Sequence, residues 1–380
     1  MFSRAVKIFT LQGFEVKVDP SWLLIAALIT WSLGSHAFPQ FLPGLTPIEY
    51  FSMAVFAMLG FFGSLLLHEM SHSVVARRYG VGIKGITLFV FGGVAELEDE
   101  PKTAGAEFWI ALAGPAMSFA LSVGFWLTAG IGRAIGVPDS ITTILSYLAS
   151  INLILGLFNL VPAFPLDGGR VLRAYLWDRH GDILKATETA AKSGAVFAYT
   201  LMILGLLALF GGQQVSGLWQ ILIGGFLLMA ARSSYQQQLL KSTFGGETVA
   251  SLMSTDVRTA EPSLMLSQLV DQTLLPARVS FVPVVDDEVL LGYVDTEIIA
   301  GIDQENWSNT SVGDVFITLD AANCVTPETP AIDLLTRITE TGRRKFLVAR
   351  DGRLLGVVTL SDLTGFLGVI QSLRLGQPQR

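Results

Sequence analysis

His68 and His72 stand four residues apart in LLLHEMSHSVV, with Glu69 beside the first. On a helix this spacing turns both imidazoles to one face, about 40° apart, so their rings can close on a single metal ion. Glu69 falls next round the helix, where its carboxylate can take a proton from a water that the metal activates. The surrounding run is apolar, and ionisable groups in such a run need a purpose or a partner. A blander alternative makes the histidines polar residues that bridge neighbouring spans by hydrogen bonds. Two observations favour a metal: the chain has only 4 His, two of which form this spacing, and Glu69 has no obvious cationic neighbour in its own run.

A catalytic zinc usually takes three protein ligands and keeps one position open. The third candidate is Asp167 in FNLVPAFPLDGGR, where Pro162 and Pro165 interrupt a helix and Gly168 with Gly169 lets the backbone turn sharply. Asp167 is therefore expected on an irregular segment at the end of its span. That span runs in the same direction as the one carrying His68 and His72, so the depths match. A solvated turn or a helix cap is the competing reading of Asp167.

These side chains need a scaffold, and the composition says which. Of the 380 residues, 51% are hydrophobic and 15% charged, with a mean hydropathy of +0.55, which marks a membrane protein. Six runs are long enough to cross a bilayer: about 22–38, 50–79, 106–131, 141–161, 190–210 and 215–231. With a cytoplasmic amino terminus, Arg77, Arg78, Lys84, Lys102, Arg170 and Arg173 are among the many basic residues on the cytoplasmic side, against Arg133 alone opposite. The asymmetry supports that orientation, with both termini cytoplasmic. Residues 6–19 alternate like a strand at the membrane surface, and no cleavable signal is evident. Between the second and third spans, residues 85–97 suit a β-hairpin turning at Gly92 and Gly93. Unpaired strand edges cannot face lipid, so the hairpin would dip into a protein-lined cavity and offer its edge to another extended chain; a cytoplasmic surface loop is the alternative. The net charge of −7 and the lack of a basic stripe exclude nucleic acid as a partner. The lone Cys324 excludes an intramolecular disulfide.

Beyond residue 242 the chain changes to alternating strands and amphipathic helices. The stretch from residue 279 aligns without gaps with that from residue 343, Gly292 matching Gly356. Two such copies imply a pseudo-symmetric pair, and their strand, acidic turn, strand and helix resemble the paired CBS modules that bind adenine nucleotides.

HEMSH within a span, followed by FNLVPAFPLDGG near the end of a later one, resembles the site-2 protease family of intramembrane zinc metalloproteases, as do GFEVKVDPSWLL and AGPAMS. The resemblance implies six transmembrane helices with a membrane-associated β-hairpin (20–240) after an interfacial strand (1–19), then a soluble α/β CBS pair (241–380), copies at about 245–308 and 309–372. It implies one zinc on His68, His72 and Asp167, Glu69 as general base, and Asn159 near substrate or oxyanion, an interhelical hydrogen bond being the other reading of Asn159. Many relatives carry Asn where Ser118 stands, a difference expected to touch only packing. No PDZ module is visible. In the second CBS copy Thr359 and Asp362 fit a ribose contact; the first has Asp295 and Ile298 there, so a single adenine-nucleotide site is expected, with a purely structural or dimerising role as the alternative. Arg343, Arg344 and Lys345 would meet phosphate or form a solvated basic turn. The implied partners are single-span membrane substrates, the bilayer, and a second copy through the CBS pair, in a plasma membrane. A CBS-regulated ion or metal transporter is the rival class, which Glu69 disfavours because transport does not need it.

Overall fold

A computed structural model describes residues 5–11, 13–90, 92–97 and 100–375. The chain folds as two compact units, Met1–Gln236 and Gln237–Arg380.

Six helices of the described residues are long and apolar enough to cross a membrane: α1 (Ser21–Phe41), α2 (Pro47–Arg78), α3 (Ala104–Ala134), α4 (Asp139–Asn159), α6 (Ile183–Phe210) and α7 (Gln214–Phe244). Local chemistry sets where they begin. Thr46 and Glu49 cap α2 reciprocally, the Thr46 N–H donating to Glu49 Oε2 at 2.7 Å, and Pro47 takes the first turn where its missing N–H costs nothing. Asp182 Oδ1 accepts from the amides of Leu184 and Lys185 and starts α6 well before the apolar run at 190. Helix α7 continues past Ala231 to Phe244.

One helix was not legible as such. Asp167 does not sit on an irregular segment; it is the first residue of α5 (Asp167–His180), which ends on Gly181 in the left-handed conformation. The irregular part is the preceding stretch from Leu160 to Leu166. A Cβ at Gly168 would collide with the carbonyls of Leu160 and Val161, so the bare backbone is what lets α5 start against that stretch.

The amino terminus also differs from the single strand expected over 6–19. It is a hairpin, β1 (Val6–Leu11) and β2 (Phe14–Val18), reversed at Gly13 with φ +84°. The Arg77 guanidinium at the end of α2 lies 4.0 Å above the Phe14 ring, a cation–π contact that seats the hairpin on that helix. Strand β2 pairs in parallel with β3 (Ile83–Phe89), which pairs antiparallel with β4 (Gly92–Leu97), giving the order β1-β2-β3-β4. Phe89 faces Gly92 and Leu88 faces Gly93, so the chain reverses before Gly92 and both glycines belong to β4 rather than to the turn. With β3 covered by β2, the edge left unpaired beside α2 among the described strands is that of β4.

In the second unit, two three-stranded sheets repeat one plan: β5 (Phe281–Asp286), β6 (Val289–Asp295) and β7 (Ile317–Thr318) form one, β8 (Cys324–Val325), β9 (Lys345–Arg350) and β10 (Arg353–Thr359) the other. Each β-hairpin turns on two residues of positive φ, Asp287 with Glu288 and Asp351 with Gly352, whose twist matches that of the strands. Helices α8 (Thr296–Ala300), α9 (Ala331–Thr341) and α10 (Leu360–Leu375) complete the copies. Val282, Val284 and Val294 fill one core and Phe346, Val348 and Val358 the other, while Phe281, Tyr293 and Leu347 meet between the copies.

Candidate functional site

Helix α2 carries His68, Glu69 and His72, and α5 presents Asp167 from its first turn. The structure brings the histidines and the aspartate together, all buried, with exposures of 2%, 5% and 8%. Both Nε2 atoms lie 3.2 Å from Asp167 Oδ2 and 3.2 Å from each other. Among the described residues this is the one cluster of three or more His, Cys, Asp or Glu able to hold a metal ion.

The hydrogen bonds behind the rings set how the Nε2 atoms face inward. His72 Nδ1 donates to the Ile110 carbonyl on α3 at 2.6 Å. A carbonyl can only accept, so His72 carries its proton on Nδ1 and turns a lone pair inward from Nε2. His68 Nδ1 lies 2.9 Å from Ser118 Oγ, also on α3. Ser118, expected to matter only for packing, thus faces the ring of His68. Two imidazole nitrogens and a carboxylate oxygen at mutual distances of 3.2 Å share either a ring proton or a cation between them, and all three are atoms of the kind that bind zinc. Ligands about 2.0–2.1 Å from a tetrahedral zinc are spaced about 3.3–3.4 Å apart, so His68, His72 and Asp167 would suit three of its positions. Gly114 keeps the space clear: a Cβ there would fall on Nε2 of both histidines.

Glu69, next to His68 on α2, meets β4, where a Cβ at Gly93 would come within 2.9 Å of Glu69 Cγ. The strand backbone can approach the carboxylate this closely only because residue 93 is glycine. Asn159 is the last residue of α4 and half-buried; no hydrogen bond among the described residues ties it to the His–Asp cluster. Sequence reasoning missed the orienting role of α3, of which AGPAMS was the visible trace. It also missed the buried pair of Glu107 on α3 with Arg173 on α5.

In the second unit, Thr359 Oγ1 donates to Asp362 Oδ2 at 2.8 Å and the Thr359 amide donates to the same oxygen at 2.8 Å, at the head of α10. Asp295, at the matching place in the first copy, caps α8 and pairs with Lys345 at 3.0 Å. Arg343 binds both carboxylate oxygens of Asp320 at 3.1 Å. Two of the three basic residues expected to meet phosphate or solvent are thus held in ion pairs, leaving Arg344 exposed. A cavity of about 390 Å³ opens between the copies beside Thr255, Thr259, Glu288, Arg353 and Gly356, and Thr359 and Asp362 do not line it.

Comparison with known proteins gives this geometry a lineage. The model for peptidase family M50 matches residues 56–137 and 134–204, and the CBS domain model matches 249–301 and 312–368. The chain is 38% identical over 377 residues to Rip3 of Mycobacterium tuberculosis, designated a zinc metalloprotease, covering 99% of this chain and 95% of that protein. It is 26% identical over 368 residues to the zinc metalloprotease MJ0392 of Methanocaldococcus jannaschii, covering 97% of each. A solved site-2 protease from Methanocaldococcus jannaschii aligns with 28% identity and a TM-score of 0.42, over 61% of this chain and 95% of that one. Similarity along the full length selects hydrolysis over ion transport. The chain belongs to peptidase family M50: it is a multi-pass membrane zinc metalloendopeptidase of the site-2 protease type that carries a pair of CBS domains.

Proposed function

We propose that this chain cleaves peptide bonds in or near the transmembrane segments of single-span substrates, with one zinc held by His68, His72 and Asp167. The observation that carries the reading is the convergence of three buried donor atoms 3.2 Å apart, with Glu69 beside His68 on the same helix. Zinc bound there would acidify a water and polarise a carbonyl. Glu69 would take the proton of the attacking water and return it to the leaving amine. A helical substrate hides its carbonyls in its own hydrogen bonds, so it must unwind before attack. The β4 edge beside Glu69 supports backbone pairing of the extended segment. The Asn159 side-chain amide is suited to donate to the substrate or to the charge developing on its carbonyl oxygen.

The basic residues favour an orientation with both termini and the CBS pair in the cytoplasm, and we place the protein in the plasma membrane. Thr359 and Asp362 would hold the ribose of an adenine nucleotide whose binding regulates cleavage, and the CBS pair would also support a homodimer. The test is Glu69→Ala. Purified protein should hold about one zinc per chain, and the variant should keep it while losing cleavage. Comparing membrane proteomes with wild type and variant identifies substrates as proteins shortened only by the former. Undiminished cleavage by the variant removes Glu69 from its role.

A further inference from the structure

Helix α3 supplies none of the three converging donors, yet it touches both imidazoles. Ile110, Gly114 and Ser118 follow at four-residue intervals and form one ridge of the helix. At one end the Ile110 carbonyl holds His72; at the other Ser118 Oγ faces His68 Nδ1 at 2.9 Å. Gly114, between them, leaves room in front of both Nε2 atoms. A serine hydroxyl, unlike a carbonyl, can play either part. Donating to Nδ1 would place the ring proton on Nε2 and block that atom as a ligand. Accepting from Nδ1–H leaves the Nε2 lone pair free. Ser118 is fully buried, and His68 is the one hydrogen-bond partner of its hydroxyl among the described residues.

We propose that Ser118 is a positioning residue of the metal centre, its hydroxyl accepting from His68 Nδ1–H to fix both the ring's rotation and the tautomer that points Nε2 at His72 and Asp167. The inference rests on the ligand set proposed above. It makes α3 a template: one acceptor for each histidine, four residues either side of a gap. Outer partners of this kind are commonly worth about 10–100-fold in metal affinity.

The experiment titrates zinc away from the purified full-length chain in detergent with a competing chromophoric chelator. Ser118→Ala should weaken zinc binding about 10–100-fold, with the metal-free protein melting at the wild-type temperature. Ser118→Thr, which keeps the hydroxyl, should restore most of the affinity. His68→Ala should cost far more than Ser118→Ala. Wild-type affinity in Ser118→Ala, alongside a large loss in His68→Ala, overturns the role of Ser118 and leaves the ligand set standing. Wild-type affinity in His68→Ala overturns the ligand set itself. A loss in Ser118→Ala that Thr does not restore, or that follows a lowered melting temperature, makes Ser118 a packing residue and also overturns the proposal.

Discussion

A methyl group added at Gly114 would land on the Nε2 atoms of His68 and His72, so Gly114→Ala changes no polar residue and still fills the space between the donors. Either α3 recedes from α2 or the rings rotate away, and both break the triangle; overpacking of this sort also costs about 1–3 kcal/mol in stability. The expected outcome is a folded protein without zinc and without proteolysis, checked by metal analysis of the purified variant. Full zinc content in Gly114→Ala would mean that the ion sits elsewhere. This contrast also explains which residues a sequence can reveal. That His68, His72 and Asp167 come together was legible because the proposed metal chemistry calls for those side-chain types, and one helix fixes the spacing of the two histidines and the neighbouring Glu69. The contributions of Gly114, Ser118 and the Ile110 carbonyl depend on how α3 is set against α2. The AGPAMS motif marks Gly114 and Ser118 without giving that register, and a backbone carbonyl leaves no trace in a sequence at all.

Asp167 can complete the triangle only if α5 is held in place, and one fastening is ionic. Glu107 on α3 and Arg173 on α5 pair with 1% and 9% of their side chains exposed, and the Arg173 guanidinium lies 5.1 Å from the centre of the Phe164 ring. Among the basic residues counted to the cytoplasmic side, Arg173 is a buried brace. Removing one partner strands the other charge out of water, a loss of about 3–5 kcal/mol, whereas replacing both with apolar groups of similar size is often close to neutral. Arg173→Ala and Glu107→Ala should therefore each lower the melting temperature sharply, and a Glu107→Leu, Arg173→Met double variant should recover much of it. Unfolding measured in detergent decides this: additive losses in the double variant would mean the pair does not act as a unit. The element level was legible where hydrophobicity alone sets it, as in the six spans. It was not legible for α5, whose DGGRVLRAYLWDRH is too short and charged to register as a span, nor for the β1–β2 hairpin, whose partner strand β3 lies more than sixty residues away.

Across the whole chain, the two CBS copies share a fold and differ in what their matching sites can accept. In the first copy the Asp295 carboxylate is committed, with one oxygen capping α8 and the other pairing with Lys345. In the second, Thr359 and Asp362 bond to each other at a half-exposed helix head, where a ribose hydroxyl can compete for the same carboxylate. One adenine nucleotide per chain is expected, lost in Asp362→Ala and unaffected by substitution at Ile298. At a ligand concentration of 100 times Kd, binding would stabilise the unit that holds it by about 2.7 kcal/mol, which should appear as an upward shift of that unit's melting transition. Stabilisation alone does not make the nucleotide a regulator. If it changes substrate affinity by some factor, linkage requires substrate to change nucleotide affinity by the same factor, typically about 5–150-fold in regulated proteins. The inactive Glu69→Ala chain allows both halves to be measured without turnover: nucleotide Kd with and without a saturating membrane-anchored substrate, then substrate Kd with and without nucleotide. Equal factors different from one establish regulation through the CBS pair. A factor of one in both directions, with nucleotide still bound, excludes control of substrate affinity through the CBS pair, since a ligand that binds both states equally cannot shift the balance between them.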